Sequence, residues 1–435
     1  MKTNSFFHFL LFPLLFSCTN ISNTTFRNSN NIQPKPLLGW NSYTGYGSSL
    51  NEEIFIQNLE TFCLKLKPAG YEYFVIDAGW DGVLSGIKLD EYGRSIPDSA
   101  LFPHGLKPLI ELVHSKGLKF GLWIARGISR KAVRDNLPIF GTQFHAQDIA
   151  NIQDSSDWFF FNYGVDMNQP GSQEFYNSVV TLVDSWGVDF VKYDDIVPHP
   201  DEIQAVANAI KNCNSKIKLS LSPGDAASMQ NADVYNYADM VRITTDIWDN
   251  QKSIDASFSR WRTFQTFRSE KCYIDLDMIP FGTVFYPEKH KDNFTNDQKY
   301  AFVTQRALSS SPLFVGGQLP LIDSFSLAVI TNMHMLECNQ TCRIGNLIDS
   351  SDNIETWKSL SGKDPVTFWI GIFNRNNTPK SQLINNFQLG LSKPMSNYSI
   401  FNIWNDSLIS PKDTFNITIA ANGVVFLKLS EVKSM

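Results

Sequence analysis

Short apolar, β-branched runs recur through the first three-quarters of the chain, at 37–41, 71–78, 119–124, 188–194, 216–222, 240–246, 273–277 and 312–316. Several are separated by stretches with helical periodicity. After the first run, Phe55, Leu59, Phe62, Cys63 and Leu66 share one helical face, and Pro68-Ala69-Gly70 stops the helix. Before the fourth, Phe175, Val179, Leu182, Val183 and Trp186 do the same, with Gly187 as the stop. Eight such strand–helix units predict a (β/α)8 TIM barrel. An open doubly wound sheet fits less well, because no Gly-rich dinucleotide turn follows the first run.

The pattern changes near residue 346. Apolar runs at 354–360, 366–373, 398–404, 414–419 and 423–429 follow one another with turn residues and no intervening helix. This predicts a separate antiparallel β-sandwich. At the other end, Lys2 precedes an apolar run from Phe9 to Phe16 that has the length of a signal-peptide core and is too short to span a bilayer. The expected organisation is a signal peptide over 1–18, a disordered Asn/Ser/Thr-rich linker over 19–34, the barrel over 35–345 and the β-sandwich over 346–435. Leu15-Phe16-Ser17-Cys18 loosely resembles a bacterial lipobox, so a lipid anchor on Cys18 is the alternative to cleavage and release. Either way the chain is expected outside the cytoplasm, secreted or of lysosomal type, with no transmembrane segment. Asn-X-Ser/Thr sequons stand at Asn20, Asn23, Asn293, Asn339, Asn376, Asn397, Asn405 and Asn416.

Composition narrows the function. Charged residues make up 18%, the net charge is -6, and no dense Lys/Arg cluster occurs, which excludes nucleic-acid binding through an electrostatic footprint. Six cysteines are too few for a disulfide scaffold, although Cys338 and Cys342 are spaced for a small disulfide loop in an exported protein. The ten Trp include flat apolar faces of the kind that sugar rings stack on.

Carboxylates crowd the ends of the predicted strands, where a barrel places its chemistry. They are Asp77, the pair Asp194-Asp195, Asp246 with Asp249, and Asp275 with Asp277. A single Asp at such a place is usually a turn-former or helix cap. The joint pattern asks for more. Alternation puts Lys192 and Asp194 on one side of the fourth strand, and Arg242, Thr244 and Asp246 on one side of the sixth. Such columns are costly to desolvate unless they bind something. Asp195 points away from Asp194 and is expected to accept hydrogen bonds in the loop. Two carboxylates facing each other across a Trp-lined pocket suit glycoside cleavage, one ionised and one holding its proton. No metal or other cofactor is expected: the seven His show no ligand spacing, and no EF-hand or zinc pattern occurs. No Gly-x-Ser-x-Gly elbow is present either.

With these residues in place, the chain resembles glycoside hydrolase family 27, the α-galactosidase (melibiase) family. The likeness is carried, in order, by Leu38-Gly39-Trp40-Asn41-Ser42, Gly70-Tyr71-Glu72-Tyr73, Asp90-Glu91-Tyr92-Gly93-Arg94, the stretch from His114 to Gly121, that from Trp186 to Asp194, and Ser311-Pro312-Leu313. It implies a barrel followed by an antiparallel β-domain. It also implies a retaining exo-glycosidase that releases terminal α-D-galactosyl residues from oligosaccharides, polysaccharides or glycoconjugates. By the same resemblance Asp194, in Lys-Tyr-Asp, is the nucleophile, and Asp246, in Arg-x-x-x-Asp-Ile, is the acid/base. Asp77, Lys192, Arg242 and Asp277 match positions that hydrogen-bond sugar hydroxyls, and Trp40 and Trp123 match positions lining the glycone pocket. Ser222 falls where the family separates galactose from N-acetylgalactosamine binders.

The chain also departs from the family. Many members have two Asp and a Cys where this one has Asp77-Ala78-Gly79. Ile196 and Val197 replace the disulfide that usually follows the nucleophile, and Ser222-Pro223-Gly224 matches neither sugar-binding pattern. With Ala78 in place of an Asp, β-L-arabinopyranosides, which lack the exocyclic CH2OH of galactosides, are expected as secondary substrates. A β-L-arabinopyranosidase and an α-N-acetylgalactosaminidase are therefore alternatives within the family. A catalytically inactive sugar-binding relative is the alternative of another class.

Overall fold

Each of the eight apolar runs forms a strand in the computed structural model, which describes residues 35–432 except 157, 287, 411 and 412. The expected signal peptide, Cys18, the linker, Asn20 and Asn23 lie outside the described residues. The strands are β1 (Leu38–Asn41), β2 (Tyr73–Ile76), β3 (Lys119–Ala125), β4 (Phe190–Asp194), β5 (Lys218–Leu221), β6 (Met240–Arg242), β7 (Tyr273–Asp275) and β8 (Leu313–Val315). They pair in parallel in the order β7-β6-β5-β4-β3-β2-β1-β8. A parallel bridge between Ile279 and Val315 joins the segment after β7 to β8. The chain forms a (β/α)8 barrel.

Alternation sorts the strand residues into two populations. Tyr73, Val75, Phe190, Met240, Met278 and Phe314 form one apolar cluster. Phe74, Ile76, Val191, Tyr193, Val241 and Ile274 belong to the large core shared with the helices. The first cluster is the floor of the barrel interior. One step further along the same strands the inward positions turn polar, with Asp77, Lys192, Arg242 and Asp275. Strands β6 and β7 end earlier than the apolar pattern predicts. Asp277 adopts a left-handed φ of 71° just past β7, which breaks the ladder and turns its side chain toward Arg242.

The helices follow their predicted faces. Helix Glu52–Lys65 is capped by Asn51, whose side chain accepts from the Ile54 N–H, and it buries Phe55, Leu59 and Phe62. Helix Ser172–Trp186 ends at Gly187 with φ 93°.

The C-terminal strands are β9 (Asn346–Ser351), β10 (Ile354–Leu360), β11 (Thr367–Asn374), β12 (Lys380–Asn385), β13 (Tyr398–Asn402), β14 (Ser407–Ile409), β15 (Thr414–Ile419) and β16 (Val424–Glu431). Six form one antiparallel sheet in the order β9-β10-β11-β16-β13-β14, and β12 pairs with β15. Ile354, Ile370, Ile372, Leu427 and Leu429 of the larger sheet meet Ile384 and Ile419 of the smaller in a second core. The alternate residues Trp357, Trp369, Phe373 and Phe426 belong to the barrel's core instead. Trp357 stacks on Trp261 of helix Gln251–Phe264 at 3.7 Å. The larger sheet is thus apolar on both faces, and every residue of β11 is buried.

Cys338 and Cys342 are free, buried thiols, not the expected disulfide. They stand at the end of helix Met333–Thr341, Cys338 inside it and Cys342 as its extended C-cap, with their thiols hydrogen-bonded to each other. Asn339 of the same helix is fully buried and donates to the Ser311 carbonyl at 2.8 Å. No helix among the described residues is long and apolar enough to cross a membrane.

Candidate active site

Asp194 closes β4, and parallel pairing sets Ala125 of β3 beside it. Its two oxygens are held separately. Oδ1 accepts from the Ser222 hydroxyl at 2.6 Å and from the Asp195 N–H at 3.2 Å. Oδ2 accepts from the Trp123 indole at 2.9 Å, with the Lys192 ammonium 3.8 Å away. Burial pushes the Asp194 pKa up, but the Lys192 and Arg242 charges and these hydrogen bonds outweigh it and hold the carboxyl below the ordinary aspartate value. Lys192 reaches Asp77 at 2.8 Å, and Asn41 donates to the same Asp77 oxygen at 2.7 Å. Burial opposes the Lys192 charge, yet Asp77 and Asp194 raise its pKa above the lysine norm.

A second group faces this one. Arg242, the last residue of β6, pairs with Asp246 at 2.8 Å and with Asp277 at 3.3 Å. Asp277 also accepts from the Ile247 N–H at 2.8 Å, which fixes the turn that follows Asp246. Although 54% of the Asp246 side chain meets solvent, the surrounding walls desolvate its charged form. That raises its pKa more than Arg242 lowers it, and Asp277 adds to the rise. Beneath them Asp275, buried and beside Asp277, is pushed up to about 7. Asn41, Lys192, Ser222, Arg242, Asp275 and Asp277 line one cavity.

The structure places three residues singled out by the resemblance differently. Trp40 does not line this pocket. It is the outward residue between Gly39 and Asn41, fully buried, stacked on Phe74 at 4.5 Å and donating to the Gly317 carbonyl. Ser222 and Trp123 are brought to the site, where each donates a hydrogen bond to Asp194. Gly224 is small for a local reason: a Cβ there would lie 2.2 Å from the Arg242 carbonyl oxygen. Two pocket residues were missed, Asn41 and Tyr43. Burial first, then the charges of Asp77 and Asp246, push the Tyr43 hydroxyl up to about 12. The signal for Asn41 was available, since it ends an apolar strand in phase with Gly39.

The end of β2 carries no second polar arm into the pocket. Trp80 donates its indole N–H to the Trp123 carbonyl at 2.8 Å. Asp81 accepts from Ser95 at 3.1 Å and lines a cavity with Ile124 and Tyr193, outward residues of β3 and β4 on the far side of the barrel wall. Burial raises the Asp81 pKa to about 6.

A third acidic group lies behind Asp194. Asp154, His199 and Glu202 bring ligand-type atoms within 4.8 Å of one another. The cation position among them is held by Arg126, the residue after β3. Its guanidinium binds Asp154 through two bonds at 2.8 and 2.9 Å, Glu202 at 2.6 Å and Asp195 at 3.1 Å. Tyr176 donates to the other Glu202 oxygen. The donor set therefore fits a buried guanidinium, and a metal ion would have to displace it. Asp195 accepts from Arg126 and from the Trp158 indole, the loop role expected of it.

Comparison with known proteins agrees with this fold. A family model described as alpha galactosidase A matches residues 44–149. The α-galactosidase A of Cellvibrio japonicus is 25% identical over 429 residues, covering 91% of this chain and 92% of its own. Among solved structures, a GH27 β-L-arabinopyranosidase from Geobacillus stearothermophilus is 30% identical with a TM-score of 0.87, covering 92% of this chain and 98% of the other. A Bacillus halodurans protein provisionally assigned as an α-N-acetylgalactosaminidase is 31% identical with a TM-score of 0.82, covering 91% and 97%.

Proposed function

The chain belongs to glycoside hydrolase family 27, and we propose that it is a retaining exo-glycosidase that removes terminal β-L-arabinopyranosyl residues, with α-D-galactosyl residues as the second substrate. The observation that carries the choice of sugar is the end of β2. The two sugars share ring stereochemistry and differ by the exocyclic CH2OH. Ala78 offers that group no hydrogen bond; of the nearest substitutes, Trp80 donates to the Trp123 carbonyl and Asp81 lines the cavity on the far side of the barrel wall. A site that only packs against a group discriminates by about 10–200-fold, whereas one built to hydrogen-bond it discriminates by about 10⁴–10⁵. The 30% identity to a β-L-arabinopyranosidase supports the same choice. Nothing about Ser222 or Gly224 favours an N-acetyl group, since both are explained by Asp194 and the β6 backbone.

The divergence of two carboxyl pKa values supports catalysis over sugar binding alone, because a lectin needs neither a nucleophile nor an acid. In the first step the ionised Asp194 attacks the anomeric carbon, forming an acyl-linked glycosyl enzyme. The C–O bond to the leaving group breaks, and Asp246 gives its proton to the departing oxygen. Asp246, now a carboxylate, then takes a proton from water. The water oxygen attacks the anomeric carbon and frees Asp194, with net retention. Lys192, Asp77, Asn41 and Asp277 orient the glycone hydroxyls. The export-signal pattern of residues 1–18 supports action outside the cytoplasm, free or anchored through Cys18.

The deciding experiment compares kcat/KM for nitrophenyl β-L-arabinopyranoside, α-D-galactopyranoside and α-N-acetylgalactosaminide. The arabinopyranoside is expected to match or exceed the galactoside. A preference for galactoside above about 10⁴ would show that a dedicated polar group still holds the CH2OH.

A further inference from the structure

Outside the glycone pocket, the rim beside Asp246 is aromatic. Trp248 stands two residues past Asp246. Its ring lies 4.7 Å from Tyr286 and 5.8 Å from Phe285. Phe285 in turn meets Tyr43 edge-on at 5.5 Å. The rings therefore run as one wall from a pocket residue to the surface, where Tyr286 is 50% exposed.

The wall is held from both sides. Phe285 and Tyr286 lie in the turn between the paired segments Thr283–Val284 and His290–Lys291. The buried Asp249, one residue past Trp248, accepts from His290 Nε2 at 2.9 Å and from the Asn293 backbone N–H at 2.7 Å. The Phe285 N–H donates to the Thr44 carbonyl at 2.9 Å, next to Tyr43. Aromatic rings kept at the surface by fixed polar ties, and not sunk into the core, are in place for a ligand.

The reaction geometry says which ligand. A proton donor must come within about 2.6–3.2 Å of the oxygen it protonates, so the leaving group begins beside Asp246. The nucleophile attacks from the opposite face of the sugar. A second exposed aromatic group, Trp158 and Phe160, stands by Asp195 on that nucleophile side. We propose that Trp248 and Tyr286 form the leaving-group subsite, binding the flat apolar face of a ring-bearing aglycone, either a pyranose or an aromatic ring. This rests on the reading of Asp246 as the acid.

The test uses the full-length enzyme with Trp248→Ala and Tyr286→Ala, and three substrates that share the β-L-arabinopyranosyl group. They are the glycosyl fluoride, whose leaving group has no ring, the nitrophenyl glycoside, and a disaccharide with glucose as leaving sugar. The readout is kcat/KM on each ring-bearing substrate divided by kcat/KM on the fluoride. Removing either ring is expected to lower that ratio by about 2- to 12-fold. A fall confined to the nitrophenyl glycoside assigns the subsite to aryl aglycones, and a fall with the disaccharide assigns it to sugars. An unchanged ratio in both variants overturns the proposal, including the case where all three substrates decline together. If the wild type cleaves none of the three but hydrolyses the matching α-galactosyl series, the choice of sugar has failed and the same ratios are read on that series; if it cleaves neither series, the glycosidase reading itself has failed. If Asp246→Ala loses the fluoride as severely as the disaccharide, the acid is misassigned and the subsite falls with it.

Discussion

Arg126 and Arg242 both stand at the ends of barrel strands, and both are buried among carboxylates, but they are finished differently. At Arg126 all three guanidinium nitrogens are bonded, to Asp154, Asp195 and Glu202. At Arg242 the Nε has no hydrogen-bond partner among the described residues, nor does the buried Thr244 hydroxyl two residues on. One of its carboxylates, Asp246, reaches solvent. A saturated cluster ties segments together, and no member can leave without stranding a buried charge. An unsaturated one keeps a carboxyl able to exchange a proton and a donor able to take a hydroxyl. Clustered charge is therefore not by itself the mark of a catalytic centre; incomplete pairing at a solvent-reachable edge is the better one.

Substituting the two expected catalytic carboxylates should give the largest effects. Asp194→Asn should cost about 10⁴–10⁶-fold in kcat. Azide should restore turnover and yield a glycosyl azide of inverted configuration. Asp246→Ala should cost about 10²–10⁴-fold on substrates with poor leaving groups. There azide should yield the retained configuration. NMR of the two products decides it, and an exchange of configurations would reverse the assignment.

The closed cluster should answer in stability. Arg126→Ala should lower the unfolding free energy by about 3–5 kcal/mol, because three carboxylates lose a shared cation. Urea unfolding measures this. A variant of normal stability that has lost activity would move Arg126 from strut to catalytic machinery.

The open cluster should answer in pH. On the proposed roles, activity requires Asp194 without its proton and Asp246 with one. kcat/KM should therefore rise with pH through a limb below the ordinary aspartate value and fall through a limb above it. Asp246→Asn should abolish only the alkaline limb. Persistence of that limb would assign it to another group.

The last of these concerns Asp275. Its folded pKa, about 7, lies above the unfolded value of about 3.9. The stability tied to its proton is complete below about pH 4 and is lost as pH rises through 7. Asp275→Asn should thus gain in Tm relative to wild type between pH 4 and 7. A gap that does not change with pH would mean that Asp275 is ionised and that the Arg242 cluster is more nearly closed than described.

Much of this molecule was legible in the sequence. All eight barrel strands were, because apolar runs with inward polar ends leave a period-2 trace. Strands β9, β12 and β14 were not: they are largely exposed and polar, and nothing in Asn346–Ser351 alternates apolar with polar. The carboxylates of the pocket could be read from strand ends. Trp40 could not be oriented from the resemblance that singled it out, although the phase of Gly39 and Asn41 points it outward. The Arg126 cluster was invisible because its partners lie 28, 69 and 76 residues away, and only the fold brings them together.

Asn339 bears on where this chain can be made. It belongs to the sequon Asn339-Gln340-Thr341, yet its amide sits fully buried and donates to backbone carbonyls of Arg306 and Ser311. Oligosaccharide transfer acts on the nascent polypeptide, ahead of packing. A sugar tree fixed on Asn339 at that moment would have no place to go, since glycans belong on surfaces. Correct maturation in a eukaryotic secretory pathway would depend on that one asparagine being skipped, whereas a host without the transferase imposes no such race.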